Sequence, residues 1–369
     1  MNVRNLALSV LASGIALATG SAVETANAQG TELEYASGEP HPVTDWGDPD
    51  LRGTWPIQHL IGTPFQRDLR PTSEGGWLPE RGDLAEEEYE ALILRQEYTD
   101  AEYETIAERT DTRRNARYDE EDKSNRIGMG HWAETTDTLR INSLLVDPPN
   151  GQFPALTPRG KELAATMGSS WSRETSGRPF DSVADFDTWD RCITRGLPPS
   201  MFPFNYNNGI RIHQAPGVVV IELEMIHEAR VIPVDGRPAL DPAIKQWMGE
   251  SRGHWEGSTL VIETTNFNGI GGMTNVGIPG SPRGDTPTTT NMKITERLTR
   301  VSPTQIDYSM TVEDPEVLTA PWTARYPMYL ENDYEFFEYA CAEDNTAVRN
   351  FIETSRYERA KQAEQASNR

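Results

Sequence analysis

The sequence predicts a mainly β protein built around an antiparallel barrel. Beyond residue 209 the apolar side chains change from a helical spacing to a period of two, which is typical of half-buried strands. Turn dipeptides such as Pro216-Gly217 and Asp235-Gly236 separate the alternating segments. The candidate strands lie at 210–214, 217–225, 229–234, 258–265, 291–300, 304–313, 322–330 and 334–342. So many short strands within residues 206–345 favour a closed or nearly closed barrel.

Residues 1–28 are typical of a secretory signal peptide. Arg4 precedes an apolar run from Leu6 to Ala18, and Ala26-Asn27-Ala28 supplies small residues before Gln29. The run is too short for a membrane span, and no later segment contains the ~20 apolar residues that a span requires. We therefore expect a periplasmic or secreted protein without a membrane anchor.

The other segments predict an extended arm, accessory helices and a C-terminal tail. Residues 29–80 are rich in Gly, Pro and Asp, so little regular structure is expected there. Residues 83–122 contain neither Gly nor Pro and predict one or two helices, and residues 156–167 predict a short one. We expect residues 29–205 to pack on the barrel and residues 346–369 to form a charged helix or a frayed end.

The charge balance excludes one large class of partners. The chain carries 57 acidic and 34 basic side chains, a formal net charge of −23. This charge repels phosphate backbones and anionic membrane surfaces. Nucleic acid is therefore not an expected partner. The partner that we expect is a small organic molecule.

Two cysteines, Cys192 and Cys341, lie far apart in the sequence. An oxidising compartment favours a single disulfide between them over a pair of buried thiols. Closing so long a loop stabilises the folded chain by roughly 3–5 kcal/mol in the chain-entropy model. Neither cysteine has a local context typical of an activated nucleophile.

The most specific pattern in the chain runs from Trp247 to Asn268. It reads W-M-G-E-S-R-G-H-W-E-G-S-T-L-V-I-E-T-T-N-F-N, in which glycines permit tight turns and close backbone approach. Trp247 and Trp255 supply rigid surfaces for a core or a pocket wall. The segment indicates a fold more clearly than a reaction.

Several motifs together resemble a large family of exported bacterial proteins. The motifs are Arg140 to Gly151, Arg191 to Pro198, Glu224 with His227 and Arg230, Asp235 to Arg237, Trp247 to Leu260, Glu296-Arg297, and Glu338 to Asn345. The resemblance covers most of the chain after residue 28 and implies a lipocalin-like barrel. It brings no settled reaction. Where the family has His-Ser before the E-R strand, this chain has Thr288 and Thr289, so chemistry that needs that histidine is in doubt.

Four polar residues are the catalytic candidates. Glu224, His227 and Arg230 combine an acceptor, a titratable imidazole and a fixed guanidinium, which are the components of general acid–base catalysis. In an ideal strand His227 points away from the other two, so their convergence requires a bulge or turn near 226–229. His213, on the preceding strand, is the fourth candidate. A salt-bridged strand end and a structural histidine are the alternatives.

Other side chains are candidates for substrate binding. Histidines and aromatic residues near the expected barrel mouth can line a pocket or stack on a ligand. They are His131, Tyr206, Trp247, His254, Trp255 and Trp322. Packing in the core and exposure in a turn are the competing explanations.

The sequence leaves two functions open. The histidine spacing matches no zinc motif, no G-x-S-x-G occurs, and the glycines at 269–272 precede no evident helix, so neither a metal nor an organic cofactor is expected. We expect an exported, cofactor-independent enzyme of the lyase, hydratase, isomerase or hydrolase type. The alternative is a non-catalytic periplasmic protein that binds a small ligand. The oligomeric state does not follow from the sequence.

Overall fold

The computed structural model describes residues 35, 37–82, 84–125, 134, 139–167, 179–274, 278, 280–282, 286–343 and 345–368, apart from the side chains of residues 113 and 114. The predicted signal peptide at 1–28 and the candidate His131 lie outside the described residues.

Within the described part of the chain, ten strands form two antiparallel sheets, so the mainly β prediction is confirmed. The smaller sheet has the order β1-β3-β4-β5, and the larger has the order β2-β10-β9-β8-β7-β6. The strands are β1 (Gly53–Thr54), β2 (Leu145–Asp147), β3 (Ile210–Ala215), β4 (Val218–Leu223), β5 (Glu228–Pro233), β6 (Glu250–Glu256), β7 (Thr259–Thr265), β8 (Lys293–Ser302), β9 (Gln305–Glu313) and β10 (Trp322–Tyr329).

Sequence alternation explains the faces of these sheets. Side chains along β4 and β9 alternate between buried and partly exposed positions, as expected when one face of an antiparallel sheet covers a core. That core draws on both sheets, with Ile212 and Ile221 from the smaller and Leu298 and Tyr308 from the larger. Strands β5 and β6 are the end strands of their sheets, and the described pairing does not include a ladder between them. Closure into a barrel therefore stays a prediction.

The N-terminal region contributes to the sheets as well as covering them. β1 pairs with β3, and β2 pairs with β10, so each sheet receives one short strand from residues before 205. Trp55, directly after β1, is fully buried and donates its indole N–H to the Leu51 carbonyl at 2.9 Å. The predicted arm is therefore integral to the fold.

Two strand predictions differ from the structure. Residues 334–342 do not form a strand, because this segment is held by side-chain contacts: the Phe337 backbone N–H and the Tyr334 hydroxyl both donate to Glu224. β6 was not among the candidate strands, since Gly253 and the polar residues around it hide its period of two. A Cβ on Gly253 would lie 2.8 Å from Val234 and 3.0 Å from Ile232, so glycine allows the close approach of β6 to the end of β5.

Helices form at the predicted places and at the C-terminus. They are α1 (Glu86–Leu94), α2 (Asp100–Lys123), α3 (Pro158–Ala164) and α4 (Ala347–Ser367). Thr99 begins α2 with a capping box, because Thr99 accepts from the Glu102 N–H and Glu102 accepts from the Thr99 N–H. Thr157 caps α3 in a similar way through the Gly160 N–H at 2.9 Å. No helix in the described ranges has the length and apolarity to span a membrane.

The predicted disulfide is present. Cys192 and Cys341 are bonded across a sequence separation of 149 residues. The bond joins the loop before β3 to the segment after β10, which fixes both ends of the region that carries most of the strands. The disulfide is consistent with an oxidising compartment.

Candidate functional site

A cavity of about 660 Å³ lies where β5 and β6 run beside each other. Its walls are residues 228–231, Pro233, Leu240 and 245–252, and we call it the edge-strand cleft. Two segments singled out by the sequence meet there: the strand that carries Arg230, and the start of the glycine- and tryptophan-rich pattern at Trp247. The cavity volume is within the range of roughly 300–1,000 Å³ that is usual for ligand pockets.

A strained turn precedes Glu228 and places it at the wall of the cleft. Met225–His227 form a single 3₁₀ turn between β4 and β5, in which Ile226 has φ +62° and His227 has φ +42°. A left-handed conformation is costly for a β-branched residue, of order 1–3 kcal/mol. Burial of Met225 and Ile226 against Trp189 and Phe204 offsets this cost. The turn ends at Glu228, which therefore emerges at the cleft wall.

A glycine fixes the opposite wall. Gly249 has φ +67°, and a Cβ at this position would lie 2.6 Å from the Thr265 carbonyl oxygen. Only glycine fits this combination of backbone conformation and contact. Gly249 lies between Trp247 and Met248, which line the cleft, and β6, which begins at Glu250.

A buried ion pair joins the two sheets beneath the cleft. Arg230 on β5 forms a bidentate pair with Glu296 on β8, with Nη1 donating to Oε1 at 2.9 Å and Nη2 donating to Oε2. Arg230 is 5% exposed and Glu296 is fully buried. Tyr308 on β9 donates to the same carboxylate at 2.8 Å. Burial opposes the charge of Arg230, but the attraction of Glu296 outweighs it and raises the pKa of the guanidinium.

A hydroxyl pair extends this network into β6 and β7. Arg230 Nη2 lies 3.5 Å from Ser251 Oγ, and Ser251 Oγ lies 2.8 Å from Thr264 Oγ1. The network therefore touches β5, β6, β7, β8 and β9. It holds the two unpaired edge strands at a fixed spacing, and that spacing defines the cleft.

Glu228 is the titratable group best suited to chemistry in the cleft. Its carboxylate accepts a hydrogen bond from Thr194 Oγ1 at 2.5 Å and is otherwise half-buried. Burial raises the pKa of Glu228, against the opposing effects of the Thr194 hydrogen bond, Arg230 and His227. A carboxyl group with such a shift keeps its proton at higher pH than an exposed glutamate and can donate it.

Cationic and aromatic side chains complete the cleft. Glu250 is buried and forms an ion pair with Arg252, which is half-buried. Lys245 is exposed and donates to the Thr290 carbonyl at 3.5 Å. Trp247 is 36% exposed and presents an aromatic surface. The walls therefore offer a proton donor, the lysine cation, an ion-paired arginine and a stacking surface.

Glu224 lies outside this cleft. Its two carboxylate oxygens accept from four donors: Asn207 Nδ2 at 3.0 Å, the Phe337 N–H at 2.9 Å, the Gly209 N–H at 2.8 Å and the Tyr334 hydroxyl at 2.8 Å. The turn at Met225–His227 separates it from β5, so the structure does not bring Glu224 to Arg230. Instead, Glu224 anchors the segment after β10 to the loop before β3.

The candidate histidines lie on the surface. His227 is exposed at the end of the turn, beside Glu228. His213, whose partner in the β3–β4 ladder is Val220, bonds Glu222 at 3.0 Å, and His254 bonds Glu256 at 3.2 Å. The structure does not gather these three imidazoles into one site.

The aromatic candidates divide between core and pocket. Trp322 is fully buried and Trp255 packs against the main core, so neither lines the edge-strand cleft. Tyr206 packs against Phe204 in a separate aromatic cluster. Trp247 is the one aromatic substrate-binding candidate that the structure places in the cleft, among the residues it describes.

Sequence reasoning missed Glu228 and Glu296. The period of two was the available signal for Glu228, because residues 228 and 230 of a strand share a face. Glu296 stood in the E-R strand motif, but nothing in the sequence paired it with Arg230. Among the described residues, no group of three or more His, Cys, Asp or Glu side chains is arranged to hold a metal ion.

These features define an ionisable, partly aromatic cleft between the end strands of two antiparallel sheets. No family model matches the chain, and neither a curated protein nor a solved structure matches it.

We expect Glu296→Gln to destabilise the fold by about 3–5 kcal/mol, because it leaves the Arg230 charge buried without its partner. Urea unfolding at neutral pH measures this loss. The double variant Arg230→Met, Glu296→Leu removes both charges and should recover much of it. A loss below about 1 kcal/mol for the single variant is typical of a solvent-exposed ion pair and would contradict the burial of this one.

We expect Glu228→Gln to stabilise the fold at pH 8 and to have little effect below pH 4. The native pKa is raised above the ordinary value of 4.5, so the folded state holds its proton more tightly than the unfolded chain. The free energy of unfolding therefore falls as pH rises above 4.5. The full loss is reached above the native pKa and is about 1.4 kcal/mol for each unit by which the pKa is raised. Urea unfolding as a function of pH tests this, and equal stability of both proteins at every pH would contradict it.

Proposed function

We propose that the protein is an exported, cofactor-independent enzyme that acts on a small organic molecule by general acid–base catalysis in the edge-strand cleft. The observation that carries the proposal is the half-buried carboxyl of Glu228, with its raised pKa, at the wall of a ligand-sized cavity. Catalytic acids are found where burial shifts a pKa toward the working pH. Lyase, hydratase, isomerase and hydrolase reactions all use such a proton transfer.

Each residue has a specific part in this proposal. Protonated Glu228 donates to a leaving or carbonyl oxygen, and its carboxylate takes a proton back in the second half of the reaction. Lys245 attracts an anionic oxygen of the substrate, and Trp247 stacks on its flat or apolar part. Arg230 positions the strand through Glu296. His227, next to Glu228, lowers the pKa of that carboxyl when it is protonated.

A specific observation favours the alternative, a non-catalytic ligand-binding protein. Val231, Leu240 and Trp247 line the cleft and are 61%, 40% and 36% exposed. They give the cleft an apolar wall, as expected for a carrier whose affinity comes mainly from burial of the ligand.

The finer features of the fold and the location belong to the same proposal. The contact of Arg230 with Ser251 and the close approach of Gly253 to Ile232 place β5 beside β6, which supports two sheets that form the walls of a lipocalin-like barrel. The motifs in β5 and at Trp247 support membership of the exported bacterial family. The Cys192–Cys341 disulfide supports a periplasmic or secreted location.

The enzyme proposal is tested with small-molecule extract from cells that produce the protein. The purified protein is incubated with the extract, and mass spectrometry follows compounds consumed and formed. We expect Glu228→Gln to lower the conversion rate by a factor of about 10²–10⁴, because it removes the proton donor. Equilibrium dialysis of the converted compound should show that this variant still binds it. His227→Ala should retain turnover, with the pH limb set by Glu228 moved upward, because protonated His227 no longer lowers that pKa.

A matched control is Glu313→Gln, which removes an exposed carboxylate at the end of β9. It should convert the compound at the rate of the unchanged protein. Full activity of Glu228→Gln would contradict the catalytic assignment. If the unaltered protein binds a compound and releases it unchanged, the binding-protein proposal would replace the enzyme proposal.

A further inference from the structure

A second cavity, of about 460 Å³, lies away from the edge-strand cleft and shares no lining residue with it. Its walls include Glu134, Tyr206, Asn207, Phe337 and Tyr339, beside the disulfide cysteine Cys341. We call it the aromatic pocket. We propose that it binds a small organic cation, such as a quaternary ammonium compound.

Carboxylates give this pocket a negative electrostatic potential. Glu134 accepts from Asn208 Nδ2 at 2.9 Å and lies 3.2 Å from the Tyr334 hydroxyl. The same hydroxyl donates to buried Glu224 at 2.8 Å, so a single phenol lies between two carboxyl groups. Because it carries one proton, it can donate to only one of them at a time.

The pKa of Glu134 is affected by the second carboxyl group nearby. Burial raises its pKa, and the nearby Glu224 charge raises it further, while hydrogen bonds from Asn208 and Tyr334 act in the opposite direction. Tyr334 is affected in the same sense, since burial and the charges of Glu134 and Glu224 raise its pKa. The site therefore favours the uptake of positive charge. A bound organic cation supplies that charge in place of the proton.

Aromatic faces supply the second half of the recognition. The rings of Tyr206 and Tyr339 are nearly parallel, with centroids 6.4 Å apart and an interplanar angle of 19°. Phe337 is 64% exposed. Ring faces attract ammonium groups, and aromatic walls combined with carboxylates are the usual means of binding quaternary ammonium ions.

The distribution of cations agrees with this assignment. The pocket walls that the structure describes contain Glu134 and Glu338 but no Lys, Arg or His. Arg195 is buried with its guanidinium carbon 5.1 Å from the Trp189 ring and 5.5 Å from the Phe204 ring, and it does not line the cavity. Its charge acts on Tyr206 and Tyr339 and opposes cation binding, so the carboxylates of the walls must outweigh it. An anionic ligand would therefore face carboxylates, while a cation would face complementary charge.

Isothermal titration calorimetry of the purified protein at pH 8 tests the proposal with choline and with its neutral isostere 3,3-dimethylbutan-1-ol. We expect choline to bind at least about tenfold more tightly, since only the charged ligand gains from the carboxylates and ring faces. Affinity for choline should fall between pH 8 and pH 4.5, as protonation of Glu134 removes its charge.

Two variants separate charge from aromatic recognition. Glu134→Gln should weaken choline binding about tenfold, and Phe337→Leu, which keeps an apolar side chain, should weaken it about two- to fivefold. Glu335→Gln is the matched control, because Glu335 is an exposed carboxylate of the same segment that does not line the pocket. It should leave affinity unchanged. Thermal melting confirms that each variant is folded.

Equal affinity for choline and the neutral alcohol would overturn the proposal, as would the absence of choline binding at millimolar concentration. An equal loss in Glu335→Gln and Glu134→Gln would also overturn it, because general attraction to an acidic protein would then account for the binding. If Glu134→Gln does not fold, Phe337→Leu and the neutral alcohol still decide the outcome. None of these results depends on Glu228, so the proposed enzyme function stands or fails separately.

Discussion

The buried ion pair between Arg230 and Glu296 is the interaction on which the site depends. β5 and β6 end two different sheets and share no ladder within the described chain, so backbone hydrogen bonds do not set their spacing. The pair, with Tyr308 and Ser251, sets it through side chains. Buried ion pairs add little net stability compared with apolar packing, but losing one partner is costly. We infer that the pair specifies the position of β5 more than it strengthens the fold.

Two features at the start of β5 destabilise the fold: the turn before it and the carboxyl of Glu228. The turn before β5 keeps Ile226 and His227 at positive φ, and packing against Trp189 and Phe204 holds it there. Glu228 then lies half-buried, where its ionisation is disfavoured and folding stability at neutral pH is reduced. The strained turn and the carboxyl of Glu228 lie next to each other at one cavity, which is why we propose a functional role for that cavity.

Local sequence patterns predicted the antiparallel strands well, because alternation is visible wherever one face is buried, as in β9. They did not predict β6, whose Gly253 and exposed polar residues interrupt the pattern. They predicted a strand at 334–342, where two donors to Glu224, the Tyr334 hydroxyl and the Phe337 N–H, instead hold an irregular segment. For the site, Arg230 and Trp247 were found from their motifs, but the partners Glu296 and Glu228 were not. Their roles depend on contacts between distant strands, and a single sequence does not encode these locally.

The pKa of the Glu228 side chain is the most direct measure of whether the cleft is prepared for proton transfer. Carbon-13 nuclear magnetic resonance of selectively labelled glutamate, with the signal assigned by Glu228→Gln, gives this value. We expect a pKa above the ordinary value of 4.5, and a further rise in Thr194→Val, which removes the hydrogen bond that favours the carboxylate. A pKa at or below 4.5 in the unaltered protein would contradict a catalytic role for Glu228.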